Sequence, residues 1–203
     1  MDKKRTQSYG TTKGGSFTLL KIIKKEFKMS LKLIKLDETY KRELGQMIDE
    51  WTYDQKVNKT NHSPWSIFKN DYKDFNHYLN NLEVLNPENE RVPDSVFFLL
   101  DTKRSKLLGG VNIRHYLNDS LTKVGGHIGL GIRPSERNKG FATQLIALSL
   151  IECKKLGIKH VLITCDKENI GSAKAIISNG GVLENEVMDE KGKMIQRYWI
   201  KIT

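Results

Sequence analysis

The sequence predicts a mixed α/β fold built as one sizeable domain. Three observations carry this. Strand-like and helix-like segments follow in the order β-α-α-β-β-β-α-β-α-β. Two apolar runs, "VFFLLD" and "KLLGGVNIRHYL", are joined by only "TKRS", which marks a hairpin. The short run "HVLITC" is apolar throughout, the mark of a strand buried on both faces. A chain of 203 residues is long enough to bury one core, and 38% hydrophobic with 29% charged residues describes a globular protein.

Taken in order, "LKLIKL" at 31–36 alternates like a strand. Asp37 or Thr39 caps a helix over about 39–53, with Leu44, Ile48 and Trp51 at helical spacing. "NKTNHSPWS" is a loop. A second helix is predicted over 67–83, with Phe68, Tyr72, Phe75 and Leu79 on a stripe that reads as core packing. After the loop "NPENERVPDS" comes the hairpin, and then "GGHIGLGIRP", a strand entered through Gly125 and Gly126. Residues 141–156 form a helix, with Ala142, Leu145, Ile146, Ser149, Cys153 and Leu156 on one face and Gly157 closing it. After "HVLITC", Asn169 caps a shorter helix that stops at Asn179-Gly180. "MIQRYWIKI" is the last strand.

The net charge of +10 points to nucleic acid until its distribution is examined. Residues 1–30 hold eight Lys/Arg and two Asp/Glu, which leaves 26 basic against 22 acidic residues in the rest. The excess belongs to an N-terminal tail, residues 1–29, ahead of a single domain at 30–203; no nucleic-acid partner is expected of that domain. Within the tail, "FTLLKIIKKEF" has the pattern of a short basic amphipathic helix. The simpler reading takes Met29 as the start, with the upstream residues disordered or dispensable. No secretory signal and no run of roughly 18 apolar residues is present, so no membrane span is expected. Cys153 and Cys165 lie in apolar segments without paired spacing, which fits buried thiols in a reducing cytoplasm. His115 and His127 belong to no metal-spaced cluster, so no metal is expected.

The most specific stretch is "RPSERNKGFAT", residues 133–143. A strand ends at Pro134, cations crowd the turn, and Gly140 opens the helix. A helix N-terminus presents unpaired N–H groups and a partial positive charge, so a tight glycine-bearing turn before it suits an anion. Gly140 lets a ligand approach the backbone, small Ala142 keeps the first turn open, and Arg137 and Lys139 add charge. The GxxxxGK[ST] phosphate loop is absent. The dinucleotide pattern fails as well, because Pro134 stands where a third glycine would follow Gly129 and Gly131.

"RNKGFA" resembles the R/Q-x-x-G-x-G/A signature of the GCN5-related N-acetyltransferases. The strand before it, the helix after it, "HVLITC" and the Asn169 helix stand in that family's order. The resemblance is specific over about 95–181, weaker over 31–94, and does not cover 1–29; the pattern looks most like uncharacterised bacterial predicted acetyltransferases of the superfamily. It implies a central mixed, mostly antiparallel sheet flanked by helices, with a splayed parallel pair at 127–133 and 160–165. It also implies acetyl-CoA as cosubstrate. The pantetheine arm would pair with main chain near Ile132 and the pyrophosphate would rest on residues 137–143 (Arg137, Asn138, Lys139, Gly140, Phe141, Ala142 and Thr143). Asn169 would contact the cofactor. A homodimer is the assembly the resemblance suggests.

The implied chemistry is direct attack of a primary amine, on a small molecule or a peptide, upon the thioester. A lysine-like amine titrates near 10.4, so it must lose a proton first. An N–H donor must steady the oxyanion, and the leaving thiolate takes up a proton. Many family members supply the acid from a tyrosine seven residues after the asparagine; here that residue is Ile176. His127, on the strand entering the turn and sharing a face with Gly129 and Gly131, is the candidate base. Tyr198 on the last strand is the candidate acid. His115 and Tyr116 are candidates for the acceptor side, and Glu184 and Glu186 read as a solvated loop. The alternative is a non-catalytic acyl-CoA sensor or interaction module, supported by Ile176 alone.

Overall fold

The computed structural model describes residues 30–60, 62–86 and 91–202; the tail readings at 1–29 lie outside them. The elements are β1 (Leu31–Ile34), α1 (Lys41–Asn58), α2 (Phe75–Asn80), β2 (Asp94–Asp101), β3 (Lys106–Arg114), α3 (Asp119–Lys123), β4 (Ile128–Ile132), α4 (Phe141–Lys155), β5 (His160–Asp166), α5 (Ile170–Ile177), β6 (Val182–Met188) and β7 (Met194–Lys201). Short 3₁₀ turns lie at Glu38–Tyr40, Trp65–Ile67 and Pro134–Glu136. No described helix is long and apolar enough to cross a membrane.

The sheet is in two hydrogen-bonded parts, β1-β2-β3-β4 and β5-β7-β6, and every ladder within them is antiparallel. The predicted opening lies between β4 and β5. They share no ladder and meet where β4 begins, through contacts that include an isolated Gly126–Ile163 bridge and a His127 N–H donating to Leu162 O at 2.8 Å.

Alternation along the strands builds two cores. Phe97 and Leu99 of β2 and Leu108, Val111 and Ile113 of β3 face one side, against Leu145, Ile146 and Cys153 of α4. Val96, Phe98, Leu100 and Leu107 face the other, against Leu44, Met47, Ile48 and Trp51 of α1. On that second face β3 continues with Gly110, Asn112 and Arg114, and β4 offers Gly129 and Gly131. Gly131 and Gly109 are required by close approach. A Cβ at Gly131 would stand 2.5 Å from the Trp51 ring and collide with Ser63 O. A Cβ at Gly109 would collide with the backbone oxygen of Gly131.

Three predicted elements change. The helix expected over 67–83 shrinks to the Trp65–Ile67 turn and α2. Asp71 accepts the Lys73 N–H at 3.0 Å and Asp74 accepts the His77 N–H at 3.1 Å; such side-chain bonds compete with helix. Phe75 is nonetheless buried, with Phe68 and Tyr72 packed around the same core. The first helix runs on to Asn58, past the expected end near 53. Glu184 and Glu186 stand on β6, an outer strand paired only with β7, whereas a loop was expected. Its residues are mostly exposed, so it shows no buried stripe for a pattern search to find.

Candidate active site

A cavity of about 850 Å³ is walled by β4, the 136–143 turn and α4 on one side, and by β5 and α5 on the other. The end of α1 and Ser63 close it from above. Of the residues expected at a cofactor site, Ile132, Arg137, Asn138, Gly140, Phe141, Ala142, Thr143 and Asn169 all line it. Asn138 (φ 61°) and Gly140 (φ 80°) take left-handed backbone, which folds the turn tightly before the helix. No side chain caps the N-terminus of α4. Its first N–H groups therefore lack intrahelical partners and carry the positive end of a 15-residue helix.

The loop cations behave differently from expectation. Lys139 does not line the cavity: its Nζ donates to Ser135 O at 2.7 Å and Glu136 Oε2 at 3.1 Å. Arg137 pairs with Asp54 of α1 at 2.8 Å and donates from Nε to Ile132 O at 3.2 Å. Arg133, buried, bridges Glu43 and Glu50. Glu136, only 2% exposed, accepts from Arg104, Lys106 and Lys139. Burial alone would raise its carboxyl, but those three donors outweigh burial and bring it down to about 2. With Asp101 holding Arg104, five cations meet five carboxylates. The cations around the turn are thus balanced, mostly by carboxylates from α1 and β2, and the first N–H groups of α4 carry no side-chain cap.

The two catalytic candidates are not brought to the cavity wall. His127 is 7% exposed, and its Nδ1 accepts the Leu162 N–H at 3.0 Å. Its ring turns toward β5, away from the room expected beside Gly129. Burial first, and the Arg114 guanidinium second, push its pKa down to about 4. Tyr198, 3% exposed, sits within the core and donates to Gln196 Oε1 at 2.8 Å; burial raises its pKa. His115 bonds Ser95 Oγ at 2.9 Å, Glu184 pairs with Arg197 and Glu186 with Lys167. Ile176 does line the cavity, so no hydroxyl stands at the usual tyrosine position. Asn169 caps α5 by accepting the Ser172 N–H at 3.0 Å, which leaves its amide N–H₂ as the group to offer a ligand.

His127 has a measurable consequence. The unfolded chain takes up its proton near pH 6.5, while the folded chain refuses it until about 4. Its contribution is complete above pH 6.5 and declines as pH falls through that window. Urea melts at pH 7.5 and 5.0 should show a loss of about 2 kcal/mol from this group. His127→Gln, which keeps an acceptor for Leu162, should show a correspondingly smaller loss; an equal loss in both proteins would refute the assignment.

Ser63 belongs to "NHSPWS", the loop expected near the acceptor, whereas sequence reasoning missed Trp51, Thr60 and Arg114 in the wall, and Asp54 behind Arg137. Asp54 and Arg137 are far apart in sequence and no local pattern joins them.

Residues 33–182 match the family model of the acetyltransferase (GNAT) domain, nearly three-quarters of the chain. The chain belongs to the GNAT acetyltransferase family. It is an acyltransferase whose acetyl donor is acetyl-CoA. Among solved structures, the Microcin C7 self-immunity acetyltransferase MccE, in complex with acetyl-CoA and AMP, is 20% identical, with a TM-score of 0.59 over 85% of this chain and 93% of that one. A GNAT-family acetyltransferase from Bacillus anthracis is 18% identical, with a TM-score of 0.59 over 85% and 95%. An acetyltransferase from Salmonella typhimurium, described as modifying the N-terminal serine of ribosomal protein L7/L12, is 16% identical, with a TM-score of 0.57 over 86% and 96%. At these identities the likeness is one of GNAT fold. Among curated proteins, none matches significantly.

Proposed function

We propose that this GNAT chain binds acetyl-CoA with its pyrophosphate on the N–H groups of residues 137–143 and its arm along β4, and acetylates a primary amine of a small molecule or peptide. The observation that carries this is the uncapped, Gly140-led N-terminus of α4 opening into the cavity between β4 and β5. A Cβ built at Gly140 meets nothing within 4 Å, so the turn is open to a ligand there. The β4 edge that faces β5 carries no ladder and so has main-chain groups to offer the arm. A protein and a small-molecule acceptor are both compatible with the names of the structural neighbours.

Bound acetyl-CoA supplies an activated acyl group with a thiolate as leaving group. The protein's own part is to orient that group and admit a neutral amine. Glu136 and Asp166 are the carboxylates among the described lining residues. Glu136 is held by three cations, and Asp166 lies 3.5 Å from Lys193. Neither is a free base, so the acceptor proton leaves to water. The wall hydroxyls among the described residues are Thr60, Ser63, Thr143, Thr164, Ser172 and Ser178, of which Thr60 bonds Asp54, Ser63 bonds Leu130 O and Thr164 accepts the Gly125 N–H.

The test is calorimetric titration with acetyl-CoA, paired with thiol release against a panel of amines and peptides. Binding with release on one amine class is the expected outcome. Absence of acetyl-CoA binding would overturn the proposed cradle.

A further inference from the structure

The acceptor half of the cavity holds a cation without a counterion. Arg114, at the end of β3, lines the wall. Its Nη1 donates to Gly125 O at 3.1 Å and Gly126 O at 2.9 Å. No described carboxylate stands within ion-pair distance of it. Asp94, its ladder partner on β2, pulls on it electrostatically without contact and accepts the Val84 N–H at 2.8 Å. His127, the other titratable group beside it, is neutral at neutral pH. Its Nη2, for which no hydrogen bond is seen among the described residues, stands beside the bare backbone of Gly129, 3.7 Å from where a Cβ would stand, with Nη1 at 3.8 Å.

A second orphan lies on the same face. Asn112 is two residues before Arg114 and directly opposite Gly129 in the β3–β4 ladder. It is 3% exposed, and its Nδ2 has no hydrogen-bond partner. Buried donors without acceptors are rare in folded proteins and call for an explanation. Asn112 does not line the cavity itself; Arg114 is the donor that stands in the wall, beside Gly129.

These donors are not placed for the cosubstrate's phosphates. The ladder sets Gly109 against Ile132, at the cradle end of β4, while Arg114 lies five residues further along β3. At about 3.4 Å per residue that is roughly 17 Å from the cradle end. An anion beside Gly129 therefore has to arrive with the acceptor.

We propose that Arg114 selects an amino-acid-type acceptor: a small primary amine that carries a carboxylate a few bonds from the nitrogen. This rests on the acetyl-CoA reading above and names the substrate class for the same site. The chemistry is coherent with the absence of a free base. A guanidinium that pairs with the carboxylate disfavours a neighbouring ammonium, which raises the neutral fraction of the attacking amine. The cavity also offers no unpaired carboxylate among its described residues to hold the second cation of a polyamine.

The experiment uses the full chain saturated with CoA. Glycine, β-alanine and γ-aminobutyrate are titrated against their primary amides by calorimetry, and thiol release from acetyl-CoA is measured on the same compounds. The carboxylates should bind roughly 10- to 100-fold tighter than the amides, the range for a charge-assisted hydrogen bond. Arg114→Gln should erase that preference, and Arg114→Lys, which keeps the charge, should restore part of it. Equal binding of carboxylate and amide by the wild type overturns the proposal, as does a preference that survives Arg114→Gln or the failure of every carboxylate to bind. CoA affinity, measured in parallel, separates the two ideas. If it is intact while the preference is missing, only the Arg114 assignment falls. If it is lost in the wild type, the cradle reading falls first.

Discussion

Gly140→Glu is expected to reduce CoA affinity at least 100-fold while the protein stays folded. Gly140 holds φ 80°, so any L-residue there bears about 1–2 kcal/mol of left-handed strain. It adds no collision, because nothing lies within 4 Å of the new Cβ. A carboxylate at the start of α4 even interacts favourably with the helix dipole, which offsets part of the strain. Toward a ligand the sign reverses. The new charge would sit among the N–H groups that receive the pyrophosphate, and like charges about 4 Å apart repel by about 4 kcal/mol at a protein surface before salt screening. Gly140→Ala carries the strain without the charge and should bind within about tenfold of wild type. Calorimetry with both variants checks the prediction; wild-type affinity in Gly140→Glu would refute the cradle.

Glu136→Gln should destabilise the fold by about 3 kcal/mol, because removing the acceptor from a buried network leaves its cations uncompensated. For a protein of this size that corresponds to a fall in Tm of roughly 6–12 °C. The effect has a defined pH range. Glu136 is held at about 2 in the folded state, against 4.5 as its ordinary value. Its stabilisation is therefore complete above pH 4.5 and vanishes as pH falls toward 2. The stability gap between wild type and variant should be widest near neutral pH and close as pH falls to about 2. An unchanged Tm at pH 7 would remove Glu136 from its assigned place under the turn.

The legible parts of this protein were those written in local pattern. The turn at 133–143, the helix behind it, and Asn169 as a cap are each set by a few neighbouring residues, and each stands where the sequence puts it. The role of the turn's charges was not legible. Arg137 and Lys139 read as anion binders, but Arg137 is taken up by Asp54 of α1, which only the folded chain brings to it, and Lys139 by Glu136, three residues before it in the same turn. His127 does not reach the cavity wall for a related reason. Strand alternation gave its approximate face, but the amide that takes up its Nδ1 comes from β5, 35 residues on. Arg114 and Asn112 were overlooked because two donors inside an apolar hairpin look like ordinary strand ends until their partners are counted.

The stacked glycines have a consequence for how this sequence changes over generations. At Gly109 the obstacle to a side chain is the carbonyl of Gly131, and at Gly131 it is the carbonyl of Ser63 together with the Trp51 ring. A main-chain oxygen cannot be mutated away. Shrinking Trp51 would relieve only half of the obstruction at 131, and no exchange of residues would relieve the one at 109. These two positions are closed to second-site repair. Activity screens will therefore single them out as sharply as any group that touches substrate, although what they protect is the spacing of three strips of backbone.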